Sequence, residues 1–246
     1  MDHTLTALLF GTAAAFMAGM SKTGVPGVSL PAVVFMSYAF AGNAKDSVGA
    51  LLPVLIIGDC IGVAIYRRHA DFRQIARLFP CVALGMIPGA LVLNSTSHAQ
   101  FKLVLGWMVL ILLVLEIGRQ WFGWTRLSER RWFVAVMGVL AGFGTTVGNA
   151  AGPVMGIYLV AHSLPKNQLM GNWAWFFLIV NSVKVPIYLG LGTITTTTLE
   201  FSVLVIPAVL LGTLAGRRLF LWISQDLFDP LVLTLAGIAA LRLVVP

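Results

Sequence analysis

Apolar residues in this chain are grouped into long runs separated by short polar segments. Leu103–Leu115, Val134–Phe143 and Val203–Ala215 are examples. The pattern divides into ten apolar elements, five in each half of the chain. Their bounds are 4–20, 28–42, 46–66, 78–94, 101–118, 132–147, 152–163, 167–191, 201–216 and 228–245. Because a membrane-spanning helix needs about 20 apolar residues, the longer runs predict helices that cross a bilayer.

Composition supports this prediction. Hydrophobic residues make up 59% of the 246 residues and charged residues only 10%, whereas soluble domains carry about 25% charged residues. Little chain is left between the apolar runs, so we expect one all-α polytopic membrane domain in a lipid bilayer. The net charge of +7 lies mainly in short loops, which is typical of topology signals and not of a nucleic-acid partner.

The two halves of the chain resemble each other. A Pro–x4–Gly–x3–Gly pattern occurs twice, 127 residues apart, and further pairs correspond at an offset of 122. The matching sets are Pro80, Gly85 and Gly89 with Pro207, Gly212 and Gly216, and Pro31, Gly49 and Asp59 with Pro153, Gly171 and Asn181. A five-residue insertion in the 190–200 loop explains the change of offset. We predict a duplication into repeats 1–123 and 124–246, an arrangement typical of transporters.

Charge distribution predicts the orientation of these repeats. Placing the loops on alternating sides puts twelve Lys and Arg residues on one side and four on the other. The richer side is predicted to be cytoplasmic, with both termini outside. The twelve are Lys22, Arg67, Arg68, Arg73, Arg77, Arg119, Arg126, Arg130, Arg131, Lys166, Arg217 and Arg218, and the four are Lys45, Lys102, Lys184 and Arg242. Five elements per half then make the repeats inverted in topology.

The first two elements of each repeat are predicted to be short, broken or re-entrant. Runs 28–42 and 152–163 are too short to span, and each follows a stretch rich in Gly and Pro. Pro31 and Pro153 are read as helix starts. Breaks at matching places in inverted halves point to a transport site near the midplane. The alternative is that the glycines only permit close helix packing.

Helix starts at such breaks would favour an anion, because their backbone N–H groups lack partners. Hydroxyl groups nearby would add donors for an oxyanion. These hydroxyls belong to Ser21, Thr23, Ser29, Thr145 and Thr146.

Three ionisable residues lie in the predicted bilayer region, where charge is costly and usually functional. Lys184 lies between Asn181 and Pro186 and is either a cation facing the substrate or a residue that snorkels outward. Asp59 either carries a coupling proton or forms a structural pair with Lys184 or Lys22. Lys22 is at the site if the first hairpin is re-entrant, and is otherwise a loop lysine.

Several sequence motifs are distributed over nearly the whole chain. They are Ala18-Gly19-Met20-Ser21-Lys22-Thr23-Gly24 with Pro31, then Gly142-Phe143, Asn149-Ala150-Ala151-Gly152-Pro153-Val154-Met155 and Asn181-x-x-Lys184-x-Pro186. Together they resemble the sulfite exporter TauE/SafE family of bacterial membrane permeases, which are built from two similar halves.

The resemblance implies a secondary transporter of the bacterial inner membrane that exports sulfite or a small organosulfonate. Alternating access, with one repeat rocking against the other, is the mechanism we expect. Its substrate would be bound by Lys22, Ser21, Thr23, Gly24, Ser29, Thr145, Thr146, Asn149, Gly152, Asn181 and Lys184. Asp59 is the candidate for proton coupling.

Other functions are weighed against this one. An anion channel of the same fold is an alternative, and a membrane-embedded enzyme is a weaker one, because no Ser–His pair, paired-Asp arrangement or metal-ligand spacing is found. We therefore expect no enzyme activity, no cofactor and no metal. Homo-oligomerisation is left open, since lipid-facing and partner-facing helix surfaces have similar compositions.

Overall fold

The structure is a computed structural model that describes residues 5–122, 130–162 and 164–222. Within these ranges all regular secondary structure is helical. The α-helices are α1 (Leu5–Thr23), α2 (Ser29–Ala39), α3 (Ala44–Tyr66), α4 (Phe72–Ala76), α5 (Phe79–Ser95), α6 (His98–Phe122), α7 (Arg131–Gly148), α8 (Gly152–Ala161), α9 (Lys166–Gly190), α10 (Thr196–Leu204) and α11 (Ile206–Trp222). Two 3-10 turns, Pro26–Val28 and Arg67–His69, precede α2 and follow α3.

The lengths of these helices confirm a multi-pass membrane protein. Five described segments are long and apolar enough to span, namely α1, Ala44–His69, His98–Leu115, α7 and α9. The pair α10 and α11 is a sixth if it is counted as one span. By contrast α2 and α8 have only 11 and 10 residues, as the sequence predicted for the second element of each half. The first elements, α1 with 19 residues and α7 with 18, are long enough to span, so the prediction that they too are short is wrong. The predicted element 228–245 and the boundary between residues 123 and 124 lie outside the described residues.

The ninth element differs from its prediction. The sequence favoured a loop up to residue 200 and one helix over 201–216, but α10 already begins at Thr196. Thr195 and Thr198 form a capping box there, which satisfies the first N–H groups of the helix. Pro207 then lacks an N–H and its ring clashes with a continuing helix, so α10 and α11 meet at a bend of 49°. The short helix α4, capped by the Asp71 side chain, was also not predicted.

The first break turns the chain back on itself. After α1 ends at Thr23, the 3-10 turn leads into α2, which runs antiparallel to α1. Phe10 near the start of α1 contacts the rings of Phe35 and Tyr38 near the end of α2, at centroid distances of 5.7 and 5.5 Å. The first two elements therefore form a helical hairpin, and its tip is the turn Pro26–Val28.

The second break is built in a different way. Helix α7 ends at Asn149, which has a left-handed backbone with φ 56°. The N–H groups of Asn149 and Ala150 bond the carbonyls of Thr145 and Gly144, a common way to close a helix C-terminus. Helix α8 starts at Gly152, and the turn at the tip of the first hairpin packs against it. The two breaks are therefore neighbours inside the bundle.

Two helix pairs pack in matching ways through glycines. Helix α1 packs along α11, and α7 packs along α5. A Cβ at Gly19 would lie 2.3 Å from the Val209 carbonyl oxygen, and one at Gly142 would lie 2.0 Å from that of Val82. Gly19 and Gly142 are 123 residues apart, and Val82 and Val209 are 127 residues apart. The same backbone contact thus occurs once in each pair.

Contacts also give the directions of the central helices. Asp59 meets Asn181, while Tyr66 further along α3 meets Gly171 nearer the start of α9, so these helices run antiparallel. Helix α3 runs parallel to the α10–α11 segment, because Ala50 contacts Ser202 and Tyr66 contacts Phe220. The third elements of the two halves therefore cross the bundle in opposite directions.

We predict that Gly212→Ala and its counterpart Gly85→Ala both lower the thermal unfolding temperature in detergent. A Cβ would lie 2.0 Å from the Phe16 carbonyl oxygen in one case and 2.1 Å from that of Val139 in the other. Such overpacking costs about 1–3 kcal/mol. Gly42→Ala is the control, because nothing lies within 4 Å of its Cβ position. Equal unfolding temperatures for all three variants would contradict this packing.

Candidate functional site

A buried polar cluster lies where the end of α1, the middle of α3, the end of α7 and the second half of α9 meet. Lys22 and Asp59 form an ion pair in it, with Nζ 2.9 Å from Oδ1. The Asn181 amide donates to the other Asp59 oxygen over 2.6 Å. The Lys22 ammonium also lies 4.0 Å from the centroid of the Phe177 ring, a cation–π contact. The Asp59 carboxylate on α3 is thereby linked to both α1 and α9.

Lys184 occupies the other side of the cluster and is fully buried. Its Nζ donates to the Thr145 carbonyl at 3.1 Å, to the Thr145 hydroxyl at 2.9 Å and to the Asn149 side-chain oxygen. The Thr145 carbonyl already accepts from the Asn149 N–H, and Lys184 uses its second lone pair. Asn149 in turn donates to the Val48 carbonyl over 3.0 Å. In the described residues no carboxylate lies within ion-pair distance of Lys184.

Two tyrosines complete the cluster, and sequence reasoning missed them. The Tyr66 hydroxyl donates to the carbonyl of Thr23, and the Tyr188 hydroxyl donates to that of Thr146, both over 2.8 Å. Each tyrosine therefore caps the end of the helix that precedes a break. The internal repeat could have identified these tyrosines, because Tyr66 and Tyr188 are separated by the same 122 residues as Asp59 and Asn181.

Three of the predicted hydroxyls already donate to the protein. Ser21 donates to Ala18, Thr23 to Thr213 and Thr146 to Gly142, in each case to a backbone carbonyl. These hydroxyls are buried, and their hydrogens face the helices.

The remaining predicted residues lie around the breaks. The Ser29 hydroxyl and the Asn181 side-chain oxygen are buried without a hydrogen-bond partner among the described residues. Gly24 packs on α11, where a Cβ would lie 2.0 Å from the Gly216 carbonyl oxygen. Gly24 therefore permits close helix packing, which was the alternative to a role of the glycines at the transport site. Gly152 is the first residue of α8.

Lys184 and the two tyrosines engage helix ends in a way that the sequence did not predict. We expected the N-termini of the short helices to dominate the site. Instead, the groups that Lys184 and the tyrosines contact are carbonyls at the C-termini of α1 and α7. This is a favourable place for Lys184, because a helix C-terminus carries a partial negative charge.

The fold and this cluster define a helical multi-pass membrane protein with charged groups buried between broken helices. The model of the family described as Sulfite exporter TauE/SafE matches residues 7–243. The chain belongs to this family, which is a family of membrane transporters. No curated protein and no solved structure matches the chain in the searches made.

We predict that the ion pair contributes to stability chiefly through the cost of breaking it. Lys22→Met and Asp59→Leu should each destabilise the protein by about 3–5 kcal/mol, because each leaves an unpaired charge in the core. The double variant should recover much of that loss, measured as the free energy of unfolding in detergent. Additive losses in the double variant would show that the two side chains are not coupled.

Proposed function

We propose that this protein is a secondary transporter that exports a small anion, sulfite or a small organosulfonate, by alternating access. The observation that carries the proposal is the buried cluster, which holds two lysines and one carboxylate. Charge buried in a bilayer is costly and is usually retained for function. Family membership supports the same substrate class.

The proposed binding site includes both lysines and the residues around the two breaks. Lys184 is bound by uncharged oxygens only, so an anion could take the place of one of them and gain a full opposite charge. The Asn149 amide oxygen and the Thr145 hydroxyl are the replaceable contacts, because both belong to side chains. The unpartnered polar atoms of Ser29 and Asn181 are further groups that a ligand or water could satisfy.

Alternating access is commonly performed by two related halves of a transporter, and we propose that the halves of this chain are inverted repeats. The opposite courses of α3 and α9 support this, as do the glycine contacts repeated between α1–α11 and α7–α5. The tyrosine bonds repeat as well, at offsets of 122 for the tyrosines and 123 for the threonines they contact. Asp59 and Asn181, which correspond in the repeat, contact each other, so the proposed two-fold axis passes close to them.

The proposed orientation places the basic loops in the cytoplasm of a bacterium, with the protein in the inner membrane. Contacts between helix ends support the view that most basic residues lie at the same end of the helical bundle. The start of α9 contacts His69 and Ala70, and the end of α11 contacts Tyr66. The basic residues at or beside these ends, and beside the starts of α5 and α7, are Arg67, Arg68, Arg73, Arg77, Arg130, Arg131, Lys166, Arg217 and Arg218. The start of α1 then lies outside, while the C-terminal residues are not described.

A role of Asp59 in proton coupling is part of the proposal. Asp59 pairs with Lys22 in the structure, which was the structural alternative raised by the sequence. The two roles are compatible in a transporter, because Asp59 could be ionised and paired with Lys22 when the substrate is bound, and protonated in another state of the transport cycle.

We predict that Lys184→Gln and Lys22→Gln strongly reduce efflux of sulfite from proteoliposomes. At an effective dielectric of 20, an ammonium 4 Å from an anion contributes about 4 kcal/mol before desolvation is subtracted. Lys166→Gln is the matched control, because Lys166 is exposed at the start of α9. If both variants fold, insert into the membrane and export sulfite as fast as the unmodified protein, the proposal of a cationic binding site is wrong.

We predict that Asp59→Asn abolishes the dependence of flux on an imposed pH gradient. Asparagine keeps the shape of the side chain but cannot carry the proton. The measurement compares initial flux with and without the gradient in the same proteoliposomes. A variant that still responds to the gradient as the unmodified protein does would exclude Asp59 as the carrier.

A further inference from the structure

The buried cluster has a net charge that can be counted from its contacts. Lys22 and Asp59 neutralise each other at 2.9 Å. Lys184 is left with neutral oxygen partners, and both Lys22 and Asp59 are close enough to interact with it electrostatically. With all three groups ionised the cluster therefore carries one excess positive charge.

The hydrogen bonds of Lys184 and the ion pair of Asp59 fit these ionisation states. An ammonium group has three donors, and Lys184 Nζ has three oxygen acceptors around it. An ionised carboxylate offers acceptors on both oxygens, and Asp59 has the Lys22 ammonium at one oxygen and the Asn181 amide at the other. The hydroxyls of Tyr66 and Tyr188 keep their protons as donors to backbone carbonyls, so they add no charge to the cluster.

We propose that the site selects substrates by valence, and that its preferred substrate is a monovalent oxyanion such as a sulfonate or hydrogen sulfite. This inference rests on the proposed anion transport and specifies its substrate class. A monoanion beside Lys184 brings the cluster to zero net charge. A dianion leaves an excess negative charge in a low-dielectric interior, which is costly. A neutral molecule leaves the positive charge of Lys184 uncompensated.

Asp59 and Asn181 make this inference testable with little change of shape. They contact each other, occupy corresponding positions in the two halves and differ by one charge. Asp59→Asn raises the net charge of the cluster to plus two, and Asn181→Asp lowers it to zero. The double exchange, Asp59→Asn with Asn181→Asp, restores plus one with the carboxylate moved to the other helix.

The experiment measures the dissociation constants of three ligands of similar size and different charge, namely dimethyl sulfone, methanesulfonate and sulfate. Binding is followed by thermal stabilisation of the purified protein, since a ligand stabilises the folded state by mass action. Measurements are made at one fixed pH where the three ligands keep constant charge. The unmodified protein should bind methanesulfonate more tightly than sulfate or dimethyl sulfone.

The variants should shift this preference in opposite directions. Asp59→Asn should change the ratio of sulfate to methanesulfonate affinity by about tenfold or more in favour of sulfate, because one unit charge nearby easily supplies the free energy of a tenfold change. Asn181→Asp should weaken methanesulfonate binding by about tenfold or more on the same grounds. The double exchange should return the ratio close to that of the unmodified protein.

Each outcome bears on one of the two proposals. If the unmodified protein binds methanesulfonate but its sulfate ratio is the same in all variants, selection by valence is wrong and anion transport stands. If the unmodified protein binds neither anion, the proposed function fails first. Asn94→Asp is the control for an added carboxylate, because Asn94 is exposed on α5. If Asp59→Asn does not fold, Asn181→Asp alone decides, and undiminished methanesulfonate binding overturns the inference.

Discussion

A helix that ends in a buried, apolar environment leaves its last carbonyls without partners in the helix, and the surroundings must supply them. In this protein that constraint applies to α1 and α7, whose last residues are buried at the two breaks. The carbonyls of Thr23 and Thr146 accept from the hydroxyls of Tyr66 and Tyr188. The Thr145 carbonyl accepts from the Asn149 N–H and also from Lys184. These side-chain donors come from α3 and α9. The antiparallel helices α3 and α9 must therefore be placed so that their side chains reach the last carbonyls of α1 and α7.

The two halves meet this constraint with different chemistry at corresponding positions. Gly62 in α3 lies so close to α1 that a Cβ would be 2.9 Å from the Lys22 carbonyl oxygen. Its counterpart in α9 is Lys184, which bonds the Thr145 carbonyl. A close backbone contact in one half thus becomes a charged hydrogen bond in the other. The two halves therefore pack in similar ways but differ in charge, since the position of Gly62 in α3 is taken by Lys184 in α9.

Local features of the chain were predicted well because their causes are local. Pro31 and Pro153 marked the starts of two short helices, and both lie in the first turn of α2 and α8, where proline loses no hydrogen bond. The bend at Pro207 was missed, because apolar residues continue across it and hydropathy does not register a missing N–H. The hydroxyls of Ser21, Thr23 and Thr146 were predicted as ligand donors, but bonding to their own or a neighbouring helix competes for the same hydrogen.

By itself the sequence indicated that this chain spans a membrane, that two of its helices are short, and which charged groups were candidates for burial with them. Length, hydropathy and proline position are sufficient for those statements. Only the tertiary structure decided that Lys22 pairs with Asp59 and that Lys184 binds the end of α7, 39 residues before it in the chain. The reason is that a buried charge takes whichever partner the packing of distant helices brings within hydrogen-bond distance, and a linear pattern of polarity does not specify that packing.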